Sequence, residues 1–134
     1  MTEATVTTIC GSMRFFQQML VVADELTRRG EIVLMPLVRK SDKDNPHTFQ
    51  QSVSYMIGAP VATNPTPISD SDLDRIHRDK IEMSTSIVVV SDHTGYYGDS
   101  TRSEIEYAQS LYAEIRYAHV RRIEYRDVIT WTET

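Results

Sequence analysis

The 134-residue chain is long enough for one domain with its own core and short for two. Its formal net charge of −5 argues against a surface that coats a nucleic-acid polymer, and its single cysteine excludes an internal disulfide. The opening MTEATVTTIC has no basic or apolar leader region, and no apolar run approaches the about 20 residues that span a bilayer. A cytoplasmic protein without membrane attachment is therefore expected.

Thr5 to Cys10 is β-branched and apolar and stops at Gly11-Ser12, which predicts a short buried strand. From Arg14 to Arg29, Phe15, Met19, Val22, Ala23 and Leu26 recur at steps of three and four, the period of an amphipathic helix. Gly30 is its stop signal. Glu31 to Pro36 predicts a second strand. Strand, helix and strand in this order form a right-handed crossover and a parallel sheet.

Residues 37–70 are irregular, punctuated by Asn45-Pro46, Gly58, Pro60, Asn64-Pro65 and Pro67. A loop or lid is expected here, with a short helix around Thr48 to Met56. Asp70 or Ser71 is a candidate cap for a helix running to about Met83, with Leu73, Ile76, Lys80 and Met83 along one face. Ser86 to Ser91 (SIVVVS) predicts a central strand buried on both faces. A loop follows, then a helix from about Thr101 to Glu114 and a strand from Ile115 to Val120. The tail offers either a last strand or a docking segment. The order defines one α/β domain over 1–134, a doubly wound Rossmann-like or flavodoxin-like parallel sheet with flanking helices. Such folds bind ligands beyond the carboxyl ends of their strands.

Two strand-to-helix loops therefore carry the candidate chemistry. In the first, Gly11 permits close backbone approach, Ser12 offers a hydroxyl or a cap, and Arg14 a guanidinium suited to phosphate. A plain capped turn with a surface arginine fits the same residues. The second, Gly95 to Ala108, supplies Gly98, Ser100 and Thr101 at a helix start, with Glu104 on the first turn. Thr101-x-x-Glu104 also fits a capping box that needs no ligand. Tyr96-Tyr97 could stack a base or simply pack. Asp79 reads as part of a solvated helix face. The four histidines, His47, His77, His93 and His119, show no metal-ligand spacing, so no metal site is expected.

CGSMRF at 10–15, IHRDKI at 76–81, SIVVVS at 86–91 and GYYGDSTRSEIEYA at 95–108 resemble the nucleoside 2-deoxyribosyltransferase-like superfamily. Small phage and bacterial members share the pattern, and the 2′-deoxynucleoside 5′-phosphate N-hydrolases are similar. The likeness runs through 5–120 in order, leaving 37–70 unmatched. It implies a glutamate nucleophile at Glu104 that attacks C1′, expels the base and leaves a glycosyl ester for water or another base to resolve. Gly11, Ser12 and Arg14 match the segment that holds the 5′-phosphate, and Ser100 could complete it. Asp79 takes a sugar-hydroxyl or leaving-base role. The chain departs from the pattern in carrying Glu106 where a small residue is usual, and in lacking the tyrosine that some members carry on the first strand. Neither a metal nor an organic cofactor is implied.

The expectation is thus a nucleotide N-glycosidase or N-deoxyribosyltransferase acting on a (deoxy)nucleoside 5′-monophosphate, working as a homodimer. The alternative is a non-catalytic nucleotide sensor or interaction module on the same fold.

Overall fold

The computed structural model describes residues 4–37 and 66–133. The helix expected over 48–56, and most of the expected lid, lie outside the described residues.

Strand β1 (Val6–Gly11) leads through a 3₁₀ turn (Met13–Phe15) into helix α1 (Phe16–Arg28), then strand β2 (Ile32–Leu34). Helix α2 (Asp70–Glu82), strand β3 (Ser86–Ser91), helix α3 (Asp99–Ser110) and strands β4 (Glu114–Ile123) and β5 (Arg126–Glu133) complete the order. The sheet runs β2-β1-β3-β4-β5. The first four strands are parallel, and β5 pairs antiparallel with β4 at the edge. This is an α/β fold of the Rossmann-like or flavodoxin-like kind. No helix among the described residues is long and apolar enough to cross a membrane.

Side-chain alternation sorts the core into two layers. Ile9, Val88, Val90, Ala118 and Val120 meet Met19, Val22 and Leu26 of α1 on one face. Cys10, Ile87 and Val89 meet Ile81 of α2 and Ile105 and Ala108 of α3 on the other. All six residues of β3 are buried, which its unbroken β-branched run foretold. Each large apolar side chain closed off here contributes about 1.5–3 kcal/mol relative to an exposed one.

Boundaries moved for local reasons. Ser69, not Asp70 or Ser71, caps α2, its hydroxyl accepting the Asp72 N–H at 3.1 Å. The inward stripe of α2 is Leu73, His77 and Ile81, whereas Ile76 and Met83 are exposed. Helix α3 begins at Asp99 and ends at Ser110, and Tyr112 with φ 58° turns the chain into β4. Gly30 ends α1 with φ 90°, as expected of a glycine stop. The tail is a strand: Glu124 (φ 48°) and Tyr125 (φ 66°) form the tight turn between β4 and β5.

At the amino end of the sheet, Arg116 of β4 meets Glu31 through Nη2···Oε1 at 2.6 Å and Nη1···Oε2 at 3.2 Å. Thr7 donates to the same carboxylate at 2.6 Å. The pair is largely buried, at 14% and 12% side-chain exposure, so removing one partner strands the other charge. The hydrogen bonds from Arg116 hold the Glu31 carboxyl below its ordinary range, against the opposing effect of burial. A lowered folded-state pKa means the unfolded chain takes up the proton first as pH falls. The contribution to stability is full above the unfolded carboxylate range and drains away as pH drops through the folded value. Glu31→Gln should therefore flatten the loss of stability between neutral pH and about pH 3, read as the shift in urea midpoint at each pH. A midpoint that falls equally in both proteins would contradict the assignment.

Candidate functional site

The crossover that sends β2 to one side of β1 and β3 to the other opens a crevice at the carboxyl ends of these strands. A cavity of about 520 Å³ lies there. Gly11, Ser12 and Met13 form one wall, α2 presents Asp70, Leu73, Asp74, Ile76, His77 and Lys80, and the start of α3 presents Gly98 to Thr101 and Glu104.

Gly11 has φ 147°, and a Cβ there would lie 2.6 Å from the Val90 carbonyl oxygen, so only glycine lets β1 leave the sheet this closely. Ser12 caps the 3₁₀ turn, accepting from the Arg14 N–H at 3.4 Å, and also lines the cavity. The N-cap of α3 is Gly98, which has no capping side chain. Neither Ser100 nor Thr101 closes a capping box: Thr101 is buried in the lining, and the Glu104 carboxylate goes elsewhere.

That carboxylate meets His77 of α2, Nε2 to Oε2 at 3.2 Å, with the two side chains 11% and 17% exposed. The neighbouring pair Arg78 and Ser103, Nη2 donating to Oγ at 2.9 Å, ties the same two helices together. Beneath them lies fully buried Cys10, with Sγ 3.5 Å from His77 Nε2. Burial pushes the Cys10 thiol well up, and Glu104 adds to this by its charge and by accepting the S–H. His77 Nδ1 is buried without a hydrogen-bond partner among the described residues. Lys80 reaches across to β2, its Nζ donating to the Met35 carbonyl at 2.7 Å, and burial lowers its pKa.

Gly11, Ser12, Gly98, Ser100, Thr101 and Glu104 thus converge on one cavity. Two other candidates stand outside the lining. The Arg14 guanidinium lies 4.3 Å from the centroid of the Tyr96 ring, an attraction between cation and aromatic face, and is not in the lining. Asp79 is 56% exposed on α2 and 3.9 Å from Arg75, where a solvated face was expected from the residues alone. Tyr96 packs edge-on to Phe15, and Tyr97 joins the core under α3. From sequence alone, Cys10 and Asp74 have no site role, Asp70 is a candidate helix cap only, and His77 takes no part in the chemistry. The i, i+4, i+8 spacing of Leu73, His77 and Ile81 was the available signal for His77.

Fold and crevice together define an open α/β domain with a half-open cleft at its strand crossover whose described lining is rich in carboxylates. No protein-family model matches the chain, and no curated protein matches it.

The placement of Cys10 makes a direct prediction. Alkylation of the native protein at neutral pH should run at least about 100-fold slower than in denaturing urea, since the thiol is both buried and protonated. The chain has one cysteine, so whole-protein mass spectrometry reads the site without ambiguity. Equal rates in the two conditions would place Cys10 outside the closed layer.

Proposed function

We propose that this protein is a nucleotide N-glycosidase or N-deoxyribosyltransferase. It cleaves the base–sugar bond of a (deoxy)nucleoside 5′-monophosphate through Glu104. The observation that carries this reading is that Glu104 faces the cavity, held by His77, instead of capping its own helix. The cavity volume suits a ligand of nucleotide size.

In this reading a Glu104 carboxylate oxygen attacks C1′, and the bond to the base breaks with its electron pair going to the base nitrogen. An oxocarbenium-like transition state lies between them, and the adjacent carboxylate anion stabilises it. Water then attacks C1′ of the glycosyl ester and restores Glu104, or a second base takes its place. His77 fixes the direction of the carboxylate through Nε2–H···Oε2. Asp79 is not in the lining, so the proton for the departing base comes from water, relayed by one of the cavity carboxylates Asp70, Asp74 or Asp99. The uncapped N–H groups at the start of α3, with the hydroxyls of Ser12 and Ser100, are the groups to receive phosphate.

A second reading keeps the reaction and drops the phosphate. It is favoured by the described part of the lining, which holds four carboxylates, Asp70, Asp74, Asp99 and Glu104, against one ammonium, that of Lys80. A dianion enters such a cleft against its field.

The test is a panel of ribo- and deoxyribonucleosides with and without 5′-phosphate, scored for free base by chromatography. The wild type should release base from at least one substrate class. Glu104→Gln should lower the rate at least about a thousandfold, with ligand affinity retained. Binding without any base release by the wild type would replace the enzyme with a sensor. Turnover surviving in Glu104→Gln would remove Glu104 from the reaction.

A further inference from the structure

Three groups of unlike chemistry meet at the cavity wall: the Cys10 sulfur from β1, beneath it, and the His77 imidazole from α2 and the Glu104 carboxylate from α3, both in the lining. Their ligand atoms all lie within 4.8 Å of one another. Hydrogen bonding alone accounts for a closed triad, with the thiol and the imidazole both donating to the carboxylate. The spacing has a second meaning.

A zinc ion bound tetrahedrally, at about 2.3 Å from sulfur and about 2.0 Å from nitrogen and oxygen, sets S and N roughly 3.5 Å apart and N and O roughly 3.3 Å apart. The observed Sγ···Nε2 and Nε2···Oε2 separations are 3.5 Å and 3.2 Å. Two edges of a tetrahedron are thus already in place, drawn from three separate elements, and the third, sulfur to carboxylate oxygen, lies within 4.8 Å and closes to roughly 3.5 Å around the ion.

The surroundings fit a cation on independent grounds. His77 and Glu104 line the cavity, so an ion held between them has open space on that side where water can bind. Asp70, Asp74 and Asp99 line the same cavity, and their field concentrates cations at its mouth. A thiolate with an imidazole selects zinc over magnesium or calcium, which prefer oxygen ligands alone.

We propose that Cys10 Sγ, His77 Nε2 and Glu104 Oε2 form a three-ligand site for a thiophilic divalent cation of the zinc class, with its fourth position open to the cavity. On binding, the ion displaces the thiol proton to solvent and takes the imidazole lone pair at Nε2, so the ring carries its hydrogen on Nδ1, which has no acceptor among the described residues. The site rests on these three atoms whether or not Glu104 attacks a sugar. Where Glu104 does so, cation and substrate exclude each other, because one carboxylate cannot serve both.

The experiment titrates the full chain, stripped with chelator, with Zn²⁺ by calorimetry and with Co²⁺ by absorbance, in the absence of nucleotide. One equivalent should bind, and Co²⁺ should give the thiolate charge-transfer band and the visible bands of a tetrahedral ion. Cys10→Ser should abolish the charge-transfer band. His77→Gln and Glu104→Gln should each weaken Zn²⁺ binding by about tenfold or more, since lost ligands cost at least as much as lost outer partners. His93→Gln, at an exposed histidine, should change nothing. Circular dichroism checks that each variant folds, and the two partly exposed positions serve if Cys10→Ser does not. No binding by the wild type would overturn the site, as would binding undiminished in folded His77→Gln and Glu104→Gln.

Discussion

A carboxylate drawn out of water onto another helix sets the character of this protein. Glu104 belongs to α3, yet its hydrogen-bond partner is His77 of α2, and both rest over Cys10 of β1. Two helices must pack side by side on one face of the sheet for that contact to exist. Their shared layer with Cys10, Ile87 and Val89 provides this. The alternation along β1 does the rest. Cys10 points toward α2 and α3 while Ile9 points toward α1, so a slip of one residue would put an isoleucine beneath the carboxylate.

The sheet order gives the contact a place to act. With β2 and β3 on opposite sides of β1, the loops after the strands diverge and leave a crevice. Gly11 sharpens it by leaving the strand against the Val90 carbonyl, where any side chain would collide. The opposite end of the sheet is closed by charge: Arg116, Glu31, Thr7 and Ser86 hold one another by hydrogen bonds. One end of the molecule is thus tied together internally, with only Arg116 Nε left without a hydrogen-bond partner among the described residues of that network, and the other keeps polar groups turned toward a cavity.

Much of this was legible in the sequence because it is local. The unbroken run of β3, the helical period of α1 and the glycine at its end each follow from neighbours in the chain. The two loops could be placed together because parallel topology leaves them little choice. What escaped depended on partners distant in sequence. The capping-box pattern at Thr101 and Glu104 is real as a pattern, but a histidine on α2 holds the carboxylate instead. Arg14 matched a phosphate-holding segment, but its guanidinium lies over the Tyr96 ring and not in the cavity lining, a placement set by a partner far along the chain. The turn between β4 and β5 gave no warning, since Glu124 and Tyr125 take the positive φ angles that glycine and asparagine usually signal. On α2, two apolar stripes overlapped, and only the packing of Ile81 chose between them.

The central claim is that the Glu104 carboxylate is the atom group that bonds to the sugar. A nucleotide carrying fluorine at the 2′ position slows both formation and breakdown of a glycosyl ester, because the electron-withdrawing substituent destabilises the oxocarbenium-like transition states. With a good leaving base, the ester accumulates. Peptide mass spectrometry after incubation should find the fluorosugar attached to Glu104 and to no other residue. Attachment to Asp70, Asp74 or Asp99, or release of the base with no covalent adduct at all, would contradict the account.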